Sequence, residues 1–185
     1  MKEIIVIGGA NGSGKTTFSK QILQETGFQF LNADEIEKEL STSKLQAGKE
    51  FFKRLEQYTT DNKSFVLEST LSGKYLVRVL KELHEKGYLI RFVYVFLESP
   101  SDCIQRIKLR VKLGGHFIPD EDVIRRYYRS KSNFWHIYKK LSDEWVLLYN
   151  SATESPQKVA VGVGENYLVE LEPLFINFQK DIVEI

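Results

Sequence analysis

The chain has little of several things. Its 185 residues hold one cysteine, Cys103, one methionine and four prolines. A single thiol cannot form an internal disulfide and leaves no cysteine cluster for zinc. Long hydrophobic runs are missing too. The longest apolar stretches are strand-length, short of the ~20 residues a membrane helix needs. The chain opens on a strand-like run rather than a signal-peptide pattern, so a cytoplasmic protein with no membrane partner is expected. Strong charge of one sign is also lacking: 26 Lys and Arg face 25 Asp and Glu, a net +1. Neither that balance nor any aromatic-basic stripe argues for nucleic acid as a partner. Repeats, linkers and low-complexity segments are absent as well.

What remains is ordinary globular composition, 42% hydrophobic and 28% charged, in a length suited to one domain over residues 1–185. The charge is unevenly placed. Between Ser99 and Lys140 ten Lys or Arg meet four Asp or Glu, a local excess of +6 that leaves −5 elsewhere. Such a block in a nucleotide-binding protein suits a phosphate-clamping lid over about residues 99–140, although solvated helix faces give the same pattern.

The most informative stretch is Gly9-Ala10-Asn11-Gly12-Ser13-Gly14-Lys15-Thr16. It fits the phosphate-loop pattern G-x-x-x-x-G-K-[ST], with the β-branched run Glu3–Gly8 before it and helix-spaced Phe18, Ile22 and Leu23 after it. The glycines let backbone N–H groups curl around an anion, and the helix N-terminus adds partial positive charge. Lys15 then reaches the β- and γ-phosphates, Thr16 can ligate Mg²⁺, and Thr17 completes the ATP-binding stretch.

Further strands are expected at Gly27–Leu31, Ser64–Leu67, Tyr88–Leu97 and Trp145–Tyr149, each separated from the next by helical spacing. Asp34 is placed to open the helix after the second strand, and Ser99-Pro100-Ser101-Asp102 is a strong helix start. A long helix is expected from Pro119 to about Leu141, with Tyr127, Tyr128, Trp135 and Tyr138 as core. Lys158–Val163 and Tyr167–Leu171 alternate around Gly164 and read as a hairpin on the sheet edge, followed by a last helix. The expected fold is α/β in three layers. It has a five-stranded parallel sheet, a helical lid, and a C-terminal β-hairpin plus helix over residues 156–185.

Ligands of open parallel sheets sit beyond the C-terminal strand ends, which points to Asp34, Glu68, Glu98 and Asn150 beside the loop. Asp34 can take the proton of an attacking hydroxyl, and Glu68 can hold Mg²⁺ or contact the acceptor. Both also read as ordinary polar residues at strand and helix ends. Arg106 and Arg110 share a helix face, as do Arg125 and Arg129, and Arg126 lies beside the latter pair. Phosphoryl transfer depends on positive charge around the moving group, so Arg106, Arg110 and Arg126 join Lys15 and Asp34 as candidate catalytic residues. A guanine-nucleotide switch is disfavoured, because Asn62-Lys63-Ser64-Phe65 lacks the acid of the base-reading motif. Leu71-Ser72-Gly73 follows the wrong strand for a transporter signature.

The motifs Gly8–Thr17, Asn32-Ala33-Asp34, Leu67-Glu68-Ser69-Thr70-Leu71, Gly114–Pro119, Ile124–Ser130 and Tyr149-Asn150-Ser151 together resemble the zeta toxin or zeta-like kinase family. These are phosphate-loop enzymes related to UDP-N-acetylglucosamine kinase, and the glycine-glycine-histidine segment is similar to the short chromosomal branch. The resemblance implies an ATP-dependent phosphotransferase with Mg²⁺. In it Asp34 looks like the base, Lys15 and Thr16 look like the ATP and metal site, and Arg106 looks like a lid arginine. Glu68 and Thr70 look like acceptor contacts, with Glu68 also on the metal. It further implies a small-molecule acceptor such as a nucleotide sugar, and an antitoxin-type protein partner. An ATP-binding regulatory module without its own acceptor is the alternative.

Overall fold

The computed structural model describes residues 1–150 and 155–182. Ser151 and residues 183–185 of the expected C-terminal unit lie outside the described residues. One sheet carries β1 (Glu3–Gly8), β2 (Gln29–Leu31), β3 (Phe65–Ser69), β4 (Leu89–Phe96) and β5 (Glu144–Tyr149). It also carries β6 (Gln157–Val163) and β7 (Asn166–Val169). Their spatial order is β2-β3-β1-β4-β5-β6-β7. The first five are parallel, as expected, and β6 and β7 continue the same sheet antiparallel. The sheet is therefore mixed and seven-stranded. The hairpin joins it because Gly164, at φ +55°, closes the turn and β6 pairs along β5.

The helices are α1 (Lys15–Thr26), α2 (Ala33–Glu39), α3 (Lys44–Thr60) and α4 (Tyr75–Glu85). After them come α5 (Pro100–Lys112), α6 (Asp120–Asn133) and α7 (Glu172–Gln179). Alternation along β1 sends Ile4 and Val6 to one face and Ile5 and Ile7 to the other. The first face packs against α2, α3, α4 and α7 through Ile36, Phe51, Leu80 and Phe178. The second meets α1 through Phe18, Ile22 and Leu23. A third cluster, including Ala10, Leu97, Cys103, Ile107, Val123 and Tyr127, seats α5 and α6 beside the loop after β1. No helix among the described residues is long and apolar enough to cross a membrane.

Helix ends follow local chemistry. Ser99 and Asp102 form a reciprocal capping box at α5. At α2 the cap is Asn32 rather than Asp34: Asn32 Oδ1 accepts the Asp34 N–H at 2.8 Å, which leaves the Asp34 carboxylate free of capping.

The expected helix to Leu141 changes character. It is α-helical to Asn133, widens into a π turn over Phe134–Tyr138, and tightens to 3₁₀ over Lys139–Leu141. In that path the Phe134 ring stacks on Tyr94 at 4.3 Å, and the Tyr138 hydroxyl reaches the Gly73 carbonyl at 2.6 Å. Tyr127 and Tyr138 are buried and Trp135 is partly so. Tyr128, expected in the core, is 36% exposed, because its neighbour Tyr127 takes the inward face of α6.

Candidate active site

The loop Gly9–Thr16 is gripped from two sides. At Gly12, φ is +82° and a Cβ would lie 2.5 Å from the Cys103 carbonyl in the first turn of α5. At Gly14, φ is +99° and a Cβ would collide with the Asn150 amide. Only glycine gives both the left-handed backbone and the space. Asn150 stands just past β5, where its backbone N–H donates to the Phe96 carbonyl at 3.0 Å. Its Nδ2 donates to the Ser13 carbonyl at 2.7 Å, which pins the loop to the sheet.

Lys15 is 7% exposed, and its Nζ donates to the Ala10 carbonyl at 3.0 Å. Burial pulls its ammonium below the ordinary lysine value, while the Glu68 and Asp34 carboxylates push the other way. An anion seated in the loop would add to that restoring effect, so the cradle and its lysine fit a phosphate group.

Glu68, near the end of β3, accepts from the Thr16 hydroxyl at 3.1 Å and the Ser19 hydroxyl at 2.9 Å. Thr16 and Glu68 thus bring two hard oxygen donors together at the loop. No group of three His, Cys, Asp or Glu able to hold a metal occurs among the described residues. The donor set fits Mg²⁺, which keeps waters and shares phosphate oxygens rather than entering an all-protein cage.

Asp34, Glu68, Lys15, Arg106 and Arg110 all line one cleft of about 910 Å³. Arg106 donates to the Asn150 carbonyl at 2.8 Å, and Arg110 to the His116 carbonyl at 3.1 Å. Arg126 reaches the loop from α6, donating to Asn11 Oδ1 at 3.3 Å. Arg125 is exposed and paired with Asp122 at 2.6 Å, and Arg129 is exposed. The structure does not bring Thr70 into the cleft. Its hydroxyl meets Ser72 at 2.9 Å, and its carbonyl accepts from Ser130 at 2.5 Å. In the sequence, Asn150 is signalled by its strand-end position and by the Tyr149-Asn150-Ser151 motif. Its grip on Ser13, 137 residues away, is a tertiary contact that no local pattern carries.

Residues 4–131 match the model of the AAA_33 family, described as an AAA domain. An uncharacterized protein of Haemophilus influenzae (strain ATCC 51907 / DSM 11121 / KW20 / Rd) is 30% identical over 124 residues, 64% of this chain and 88% of that protein. Among solved structures, a chain of the AvrRxo1-ORF1:-ORF2 complex with ATP aligns over 100% of this chain, at TM-score 0.76 and 17% identity. This chain spans 65% of that one's length, just under two thirds. A chain of the PezAT chromosomal toxin-antitoxin system of Streptococcus pneumoniae aligns over 98% of this chain and 78% of its own, at TM-score 0.70 and 16% identity. At these identities the likeness is one of fold alone, an α/β sheet with helices on both faces.

Proposed function

The chain belongs to the AAA domain family, and we propose that it is an ATP-dependent phosphotransferase acting on a hydroxyl of a small molecule. The observation that carries this reading is the shared cleft. The phosphate loop and its lysine stand on one bank, and Asp34, whose carboxylate is not used to cap α2, stands on the other.

The triphosphate of ATP lies along Gly9–Thr17, with Lys15 on its β- and γ-phosphates. Thr16 and Glu68 would hold Mg²⁺, which would supply charge neutralisation there. The acceptor oxygen attacks the γ-phosphorus. A new P–O bond forms, the bond to the β-phosphate bridging oxygen breaks, and ADP leaves. Asp34 takes the proton released by the acceptor hydroxyl. Arg106, Arg110 and Arg126, carried by α5 and α6 acting as a lid, offset the charge spread over the transferring group. The zeta-like motifs support this reading.

Incubation with γ-labelled ATP, Mg²⁺ and a metabolite pool should yield a labelled product. Asp34→Ala should keep ATP binding and lose transfer by roughly 10²–10⁴-fold, the usual contribution of a general base. Transfer by that variant at a near wild-type rate would show that Asp34 is not the base.

A further inference from the structure

The two banks of the cleft differ in charge. On the loop side stand Lys15, Arg106 and Arg110, with Asn150 and His116 beside them. Strand order puts α2, which follows β2, across β1 from α5 and Asn150, so the opposite lining comes from α2 and its end. There Asp34, Glu35 and Glu37 face the space with one amine, Lys38, and with the hydroxyls of Ser41 and Thr42. Glu68 lies between the banks, engaged by Thr16 and Ser19.

Of the other cations near α2, Arg54 is committed elsewhere. Arg54 forks onto both Glu39 oxygens at 2.9 Å and holds Glu50 at 3.1 Å. Lys49 and Lys53 line an adjoining depression that shares Thr42 with this cleft and also holds Glu50. Among the described residues, then, the far bank offers three carboxylates, one amine and two hydroxyls to whatever binds there.

From this we infer that the acceptor is an uncharged or cationic polyhydroxyl compound, such as a sugar, polyol or amino sugar, and carries no phosphate or carboxylate. The inference rests on the phosphotransferase reading. That reading puts the triphosphate on the cationic bank and leaves the acidic bank for the acceptor. A nucleotide sugar, the acceptor that the motif resemblance implies, would bring a diphosphate against like charges with Lys38 alone to meet it. Each unscreened like-charge contact at about 4 Å weakens binding roughly fivefold even in water. Hydroxyls and ammonium groups, in contrast, find acceptors in Asp34, Glu35 and Glu37, and Ser41 and Thr42 can donate to or accept from them.

The test fills the donor half with a non-hydrolysable ATP analogue and Mg²⁺, so that added anions cannot bind in the phosphate loop. Thermal unfolding is then followed with three compound sets of similar size: neutral sugars and polyols, amino sugars, and sugar phosphates with nucleotide sugars. A member of the first or second set should raise the midpoint, and the third set should not. For an amino-sugar binder, Glu37→Gln should weaken affinity about fivefold, the effect of one charge contact. For a neutral binder it should change affinity much less. Stabilisation by the anionic set, or silence from both other sets, would overturn the inference. The binder is then offered with ATP and Mg²⁺. Binding without γ-phosphate transfer leaves the charge preference standing and sinks the kinase reading. Transfer to an anionic compound does the reverse.

Discussion

Replacing Lys131 by methionine should destabilise the protein by about 3 kcal/mol, because it breaks a buried ion pair and leaves one charge behind. Lys131 is 1% exposed on α6, and its Nζ lies 2.8 Å from Asp181 Oδ2, whose side chain is 17% exposed. The ammonium sits 5.0 Å from the ring centroids of both Tyr127 and Phe178 and 5.7 Å from that of Phe96. Burial pulls its pKa down and Asp181 holds it up, so the lysine depends on its partner. Methionine keeps the unbranched stem and most of the volume. What is lost is the only ion-pair partner recorded for Asp181 among the described residues.

Breaking a fully buried pair costs about 3–5 kcal/mol, and the residual exposure of Asp181 places this one at the low end. At this chain length about 3 kcal/mol lowers Tm by roughly 6–12 °C. The double variant Lys131→Met/Asp181→Asn removes both charges and should return to within about 1 kcal/mol of wild type. Urea unfolding of the two single variants and the double gives the coupling directly. A single-variant cost below about 1 kcal/mol, or costs that simply add in the double, would refute the argument.

Three further outcomes follow from the site and the core. Glu68→Gln removes the carboxylate that gathers Thr16 and Ser19. It should raise the Mg²⁺ concentration for half-maximal transfer about 10–100-fold, and an unchanged Mg²⁺ titration would count against a metal role. Asn150→Ala leaves the Ser13 carbonyl without its 2.7 Å donor. It should cost about 1–2 kcal/mol, read as weaker binding of an ATP analogue by calorimetry, and affinity within twofold of wild type would contradict this. Burial raises the phenol pKa values of Tyr94, Tyr127 and Tyr138 well above the ordinary value of 10.0. Above pH ~10 the unfolded chain therefore releases protons that the folded chain keeps, and stability falls by about 1.4 kcal/mol per pH unit per phenol. The buried lysines Lys15, Lys131 and Lys139 have lowered values and act oppositely, adding stability as pH rises, but only up to about 10.5. Tyr94→Phe should flatten the alkaline slope by one phenol, and an unchanged slope would rule that phenol out.

The phosphate loop was legible because its chemistry is local. Spacing alone places Gly12, Gly14, Lys15 and Thr16, and the strand before and helix after need no distant partner. The same holds for the Ser99–Asp102 capping box. The second bank was legible only as strand ends, since Asp34 and Glu68 meet the loop through strand order, and order is a tertiary property. Least legible was what ties the banks together. Ser130, Asn133 and Tyr138 bond the carbonyls of Thr70, Leu71 and Gly73 at 2.5, 2.8 and 2.6 Å, across 60 to 65 residues of chain. Leu71 sits at φ +56°, which a leucine adopts only when its surroundings hold it there. The π turn over Phe134–Tyr138 lies within this strap, where one wider turn re-aims the side chains that follow it. No hydrophobic period reports a π turn or a side chain on a distant carbonyl. Yet the helix that makes these bonds also sends Arg126 to Asn11 in the loop. One rod therefore touches the loop and the segment just past Glu68, so a shift of α6 cannot reach one without disturbing the other.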